Sequence, residues 1–348
     1  MSSAPPQSTG SARNTPSPAR NERPVRNKLW QRFALLSLTR IARYVQRIPR
    51  SRALRFGERF GDFAFTLCRL IIRRPYDYAH RNLRLTGMPH PGATFAEREA
   101  FLRRVFQHFG KGLVEFLRVP AVTHAEKESY TVLTGYEHFQ EALTSGKGVV
   151  IVTGHLGNWE HIASFAGKLG VPLTVVARET EEEGFAAWIK ESRENAGYRV
   201  LHRGASLREI LKILKRGEAI GILPDQNADD VFAPFFGIPA GTTSGPATLA
   251  LYTGATIIYG HCVFDPGDNY HVRIYPPVEA VSTGNRVEDV SRITTRINQL
   301  LENDIRQYPE QWLWVHSRWK NAFEEAYRKR AWGGDIPEDI LRRWNQED

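Results

Sequence analysis

The sequence predicts an α/β fold, a central and mostly parallel β-sheet flanked by helices and preceded by a basic, helical N-terminal region. Three observations carry that expectation. From residue 135 onward, short β-type runs alternate with helix-length segments, the signature of βαβ units. Before it, apolar residues recur at spacings of three and four up to Val119, as they do on helix faces. Residues 20–84 hold seventeen Arg/Lys against four Asp/Glu, a local +13 in a chain of net +9. With 348 residues, 41% of them hydrophobic, the chain has the material for a large core.

Taken in order, residues 1–27 are rich in Ser, Pro, Ala, Asn and Arg and lack an apolar run, which predicts a disordered tail and no cleaved signal peptide. Residues 28–48 place Trp30, Phe33, Leu36, Leu38, Ile41, Tyr44, Val45 and Ile48 among arginines at helical spacing. That pattern suits a helix lying in a membrane interface, or one packed on the protein's own core. Lys28, Arg32, Arg40, Arg43 and Arg47 interrupt the segment, so it is not expected to cross a bilayer. Phe56–Ile72 is a second apolar stretch, either an extension of the same face or core. Residues 28–120 thus form a helical region with amphipathic, membrane-associating helices.

Residues 121–321 form the α/β core. Strands are expected at Gly148–Thr153, Pro172–Val176, Tyr198–Leu201, Ala219–Leu223, Ala255–Tyr259 and Tyr270–Tyr275, the last two as a possible antiparallel pair. Val231–Gly241 is apolar, broken by Pro, and expected to be irregular. A helix near 287–307 and a Trp-rich segment close the core, and 322–348 reads as a charged tail.

Composition narrows the function. Because the basicity sits in the N-terminal arm, the body of the protein has no need of a polyanion; the expected partner is an anionic membrane surface, not nucleic acid. Cys68 and Cys262 have neither a CxxC nor a Cys/His ligand pattern, which excludes a disulfide framework or a zinc module. No Gly-x-Ser-x-Gly elbow occurs.

The first strand of the core ends in Thr153-Gly154-His155-Leu156-Gly157-Asn158-Trp159-Glu160, and a helical pattern follows. Active sites of such sheets lie at the carboxyl ends of the strands. His155 is therefore the candidate general base. Asn158 suits a helix N-cap, and Glu160 falls in the first helical turn, from which it can reach back to the imidazole Nδ1 and leave Nε2 free to take a proton. The His-x4-Glu spacing alone says little in a chain with eleven histidines and 38 acidic residues. Its setting between an apolar strand and a helix start is what singles it out, against a histidine that merely caps or packs.

That segment resembles the family of lipid A biosynthesis lauroyl/myristoyl acyltransferases, within the wider glycerolipid acyltransferase class that uses a His-x4-Asp/Glu pair. The resemblance is carried by Val-Thr-Gly-His-Leu-Gly-Asn-Trp-Glu at 152–160, Ala-Arg-Glu at 177–179, Arg193 through Gly197, Pro-Asp-Gln at 224–226, the segments within 235–251, and Tyr-Pro-Glu-Gln-Trp-Leu-Trp-Val-His at 308–316. It runs from residue 29 to residue 320. It implies a sheet wrapped by helices, an acyl-carrier-protein or coenzyme A thioester as co-substrate with no further cofactor, and direct attack by a lipid hydroxyl without a covalent acyl-enzyme.

Under that resemblance His155 and Glu160 are the catalytic pair. Arg178, Arg193, Asp225, Asn158 and Gln226 are candidates for substrate binding; each arginine suits a phosphate, or else a solvated helix face. Asp225, Asp229 and Asp230 also make a possible metal cluster, although the chemistry calls for no metal. The 231–241 segment is a candidate acyl-chain wall or part of the core, and Arg318 a candidate headgroup contact. The expected protein is a peripheral or monotopic enzyme at the cytoplasmic face of the inner membrane, helped by an acyl carrier protein, acylating a lipid A precursor. The alternatives are another glycolipid or lysophospholipid acceptor, or a non-catalytic membrane-binding protein on the same scaffold.

Overall fold

The computed structural model describes residues 28–346 apart from 169, 178–182, 203 and 205. The 1–27 tail, Arg178 and the side chains of residues 28–35 therefore lie outside the described residues. The chain divides into compact units at residues 1–40 and 41–348, and the second holds the sheet and the site.

The chain begins, among the described residues, with the helices α1 (Lys28–Arg47), α2 (Arg50–Leu67), which runs on through a π-helical turn (Cys68–Ile72), α3 (Arg74–Thr86) and α4 (Phe95–Arg118). Thr94 and Glu97 cap α4 reciprocally: the Thr94 hydroxyl accepts from the Glu97 amide at 3.3 Å, and the Thr94 amide donates to Glu97 at 2.7 Å. The α2–α4 pair meets backbone to backbone. A Cβ at Gly110 would stand 2.0 Å from the Gly57 carbonyl oxygen, and one at Gly61 2.3 Å from that of Phe106, so no larger residue fits without parting the helices. Among the described residues no helix is long and apolar enough to cross a membrane.

After α5 (His124–Ser129) come β1 (Thr131–Thr134), α6 (Tyr136–Thr144), β2 (Val149–Val152), α7 (Trp159–Lys168), β3 (Leu173–Ala177), α8 (Glu183–Asn195), β4 (Arg199–His202), α9 (Leu207–Lys215) and β5 (Ala219–Ile222). The hairpin β6 (Val231–Phe235) and β7 (Ile238–Thr242) comes next, then α10 (Gly245–Thr253), β8 (Thr256–Phe264), β9 (Tyr270–Ile274), α11 (Arg286–Gln307), and three short helices, α12 (Lys320–Phe323), α13 (Glu325–Trp332) and α14 (Glu338–Asn345). Seven strands form one sheet in the order β1-β9-β8-β2-β5-β3-β4. β8, β2, β5, β3 and β4 are mutually parallel, while β9 pairs antiparallel with β8.

The two faces of this sheet are built differently. Val150, Val152, Ile220, Ile257 and Tyr259 point to one side and join the main core with α10 and α11. The opposite side carries Ile151, Val175 and Ile258, but also Gly221 beside Ile151 and Gly260 on β8, which leave space beneath α6, α7 and α8.

Two expectations need correction. Val231–Gly241 is no irregular loop: its alternation of buried Ala233, Phe235, Ile238 and Ala240 with Pro and Phe is that of a β-hairpin, and those side chains pack in the core. Residues 322–348 are not a simple charged tail either. Trp344 of α14 stacks on Phe323 with ring centroids 4.0 Å apart, and Arg81 lies over the same indole.

Candidate active site

Val152 of β2 and Ile222 of β5 are partners in adjacent parallel strands, and His155 and Asp225 each come three residues later. Equal offset from paired strand ends brings them face to face at the carboxyl edge of the sheet. The Asp225 carboxylate accepts a hydrogen bond from His155 Nδ1 at 2.7 Å through Oδ1, and through Oδ2 accepts the His155 amide at 2.7 Å and the Trp312 indole N–H at 2.9 Å. Burial by itself would raise the Asp225 pKa, but the facing imidazole and these hydrogen bonds outweigh it and hold the carboxyl at about 2.

The loop that carries His155 is stitched into place by three backbone hydrogen bonds. The Gly157 amide donates to Gln311 at 2.8 Å, the Asn158 amide to Cys262 at 2.8 Å, and the His155 carbonyl accepts from Leu313 at 3.1 Å. Gly157 sits at φ 62°, where a Cβ would fall 2.0 Å from the Cys262 carbonyl oxygen, so glycine is obligatory there. Trp159 presents its ring edgewise to the imidazole, 4.8 Å between centroids. With Nδ1 committed to Asp225, Nε2 is the open nitrogen; the Gln226 side-chain amide stands 3.4 Å from it.

That imidazole opens on a cavity of about 1010 Å³. His155, Trp159, Glu160, Arg193 and Gln226 line its polar part. Its apolar part runs over Ile151, Gly221, Val175 and Ile258 beneath α7 and α8. The 231–241 hairpin is not among its walls.

The carboxylate on the imidazole is thus Asp225, which corrects the expected His155–Glu160 pairing. Glu160 does lie in the first turn of α7, but it turns toward α8. Arg193 grips both its oxygens, at 3.2 Å from Nε to Oε2 and by a close contact from Nη2 to Oε1, and the Tyr198 hydroxyl donates to Oε2. Burial and then the neighbouring Glu160 charge push the Tyr198 hydroxyl well above its ordinary pKa, so it remains a donor. The physical reason is charge: a half-buried guanidinium from α8 competes for Glu160, whereas Asp225 reaches His155 directly across the strand ends.

Asn158 is N-cap and anchor, with its Oδ1 accepting the His161 amide at 3.0 Å and its Nδ2 donating to the Tyr270 hydroxyl at 2.6 Å; at 4% exposure it does not face substrate. Asp229 and Asp230 serve the loop after β5: Tyr327 donates to Asp229, and Asp230 accepts from the Ser244 amide at 3.0 Å. Arg318 is fully buried and donates to Thr242 at 2.7 Å, so it is no headgroup contact. Burial drives its pKa down to about 10 while the nearby Asp225 charge pulls the other way. Sequence reasoning placed Asp225 among the substrate-binding candidates but not on the imidazole, and assigned no role to Trp312 beyond the segment that carries the resemblance. The signal for Asp225 was the matched position of His155 and Asp225 beyond their strands; nothing in the sequence pointed to the Trp312 indole.

Fold and site together are those of an α/β enzyme with a partly buried imidazole opening on a large, mostly apolar cavity. Comparison with known proteins gives the family. The bacterial lipid A biosynthesis acyltransferase family matches residues 28–321, and the chain belongs to it as an acyltransferase. It is 28% identical to a phosphatidylinositol mannoside acyltransferase of Mycolicibacterium smegmatis over 222 residues, covering 62% of this chain and 71% of that protein. Similarity to two Escherichia coli enzymes is more extended. The lipid A biosynthesis palmitoleoyltransferase is 26% identical over 76% of this chain and 83% of its own length, and the lauroyltransferase 26% identical over 80% and 89%.

Proposed function

We propose that the protein transfers a fatty acyl group from a thioester, of acyl carrier protein or coenzyme A, to a hydroxyl of a lipid A precursor, with His155 as general base and Asp225 as the carboxylate that steadies it. The observation that carries this reading is the His155 ring itself, locked on Asp225 through Nδ1 and open to the apolar cavity through Nε2. In that step Nε2 takes the acceptor's hydroxyl proton as its oxygen bonds to the thioester carbonyl carbon. The C–S bond then breaks, and the imidazolium returns the proton to the departing thiolate. Asp225 stays ionised throughout and supports the transient imidazolium. Gln226, beside Nε2, orients the incoming hydroxyl.

The apolar furrow over Gly221 suits the acyl chain, and the Glu160–Arg193–Tyr198 cluster forms the polar wall near its mouth. The enzyme works from the cytoplasmic face of the inner membrane as a peripheral or monotopic protein. A second acceptor class, a phosphatidylinositol mannoside or similar glycolipid, is favoured by the Mycolicibacterium relative.

The test is to incubate the purified protein with acyl carrier protein and coenzyme A thioesters and each acceptor in turn, following product by mass spectrometry. Acylation of a lipid A precursor that disappears in His155→Ala is the expected result. Transfer to the mannoside alone would replace the first acceptor by the second, and no transfer to any lipid would sink the reading.

A further inference from the structure

Large apolar side chains are exposed in unusual concentration between residues 60 and 72. Phe60 and Phe63 on the outer face of α2 are 39% and 62% exposed, and Leu70, Ile71 and Ile72 of the π-helical turn are 69%, 73% and 50% exposed. Three consecutive apolar residues on a packed helix would turn at least one toward the core, because each step advances about 100° around the axis. Here the wider π-helical turn ends α2 as a projecting tip, and all three face outward. Such a patch carries a meaning that scattered surface leucines do not.

Its surroundings specify the partner. Arg69, Arg73 and Arg74 are exposed around the tip and Arg59 beside Phe60 and Phe63; Arg73 pairs with Asp77 at 3.2 Å and Arg69 with Glu99 at 3.2 Å, each still about half exposed. A second copy of the chain would bring these arginines against one another, and nucleic acid would leave Leu70, Ile71 and Ile72 in water. An anionic lipid surface satisfies both, taking the aliphatic tip below the headgroups while the guanidinium collar meets phosphate. The glycine contacts that fix α2 on α4 make the tip a rigid part of the body.

We propose that Leu70, Ile71 and Ile72, with Phe60 and Phe63 behind them, form a wedge that inserts into the acyl region of an anionic bilayer. The inference deepens the lipid-substrate reading above. It is tested with neither donor nor acceptor present, so either can fail without the other. The full chain is mixed with phosphatidylcholine vesicles with and without phosphatidylglycerol. Replacing Leu70, Ile71 and Ile72 together by Ser should lower partition into the anionic vesicles by about 10-fold or more, with the unfolding midpoint checked alongside. Arg69→Gln with Arg74→Gln should weaken binding to anionic vesicles and leave the neutral ones unchanged.

A second measurement covers the case in which the triple variant misfolds. Ile71→Cys is labelled with a polarity-sensitive fluorophore, Cys68 and Cys262 being buried. Its emission should shift to the blue on addition of anionic vesicles. Unchanged emission and partition, or a shift with duplex DNA but not with vesicles, would overturn the wedge.

Discussion

Among the described residues, two histidine–aspartate pairs share nearly identical geometry. His155 meets Asp225 through Nδ1 at 2.7 Å, and His261 meets Asp304 through Nδ1 at 2.6 Å. Their surroundings differ. The His155 side chain is 17% exposed and its Nε2 faces the cavity; His261 is 1% exposed, and its Nε2 is buried without a hydrogen-bond partner among the described residues. Asp304 also takes the hydroxyls of Tyr259 and Tyr275, each at 2.6 Å, which makes the second pair the centre of a sealed polar knot between β8, the residue after β9, and α11. A carboxylate on an imidazole is therefore not the mark of an active site; access to the other nitrogen is.

The largest expected effect tests that difference directly. His155→Ala should lower the transfer rate per folded molecule by about 10²–10⁴-fold, measured as steady-state turnover beside thermal denaturation. An unchanged rate would reduce His155 to the structural rank of His261. Asp225→Asn comes next, with a loss of about 10²-fold or more in kcat. Because Asp225 sits at about 2 against an ordinary value of 3.8, its ionised form adds stability above about pH 4 that is lost as pH falls from about 4 to 2. The variant's acid unfolding should lack that component.

The opposite pattern is expected of the sealed pair. His261→Asn should cost about 2–3 kcal/mol of stability in denaturant titrations, with turnover per folded molecule retained. Glu160→Gln separates the two carboxylates near the site: loss of the Arg193 pair should cost about 1–2 kcal/mol, and kcat should fall less than about 10-fold. A loss as large as that of His155→Ala would restore Glu160 to the imidazole. The smallest substitution is Gly221→Ala. Its Cβ would stand 3.1 Å from Val175 Cγ1 in the furrow, so the ratio of long- to short-chain donor use should drop by about 10-fold in competition assays.

Much of this was legible in the sequence because it is local. The strand runs, the His155 loop at the strand end and the Asn158 cap all arise from residues within a few positions of each other. The partner of the imidazole was not, since it depends on β5 lying next to β2, a pairing across 70 residues that periodicity does not encode. Glu160 was the nearest carboxylate in sequence and lost to one nearer in space. The hairpin at 231–242 was missed for a related reason: its prolines argued against a strand, yet Pro234 and Pro239 face each other in a two-stranded ribbon whose outer edges pair with no further strand among the described residues.

The stitching of the His155 loop bears on biosynthesis. The ribosome makes residues 154–158 long before Gln311, Trp312 and Leu313, which supply the loop's backrest and the indole on Asp225. A nascent chain released before that point would hold a His155 loop without its backrest and a carboxylate short of one donor. Competence should thus arrive late and abruptly in translation, and prematurely terminated products should be inert even with every sheet strand present.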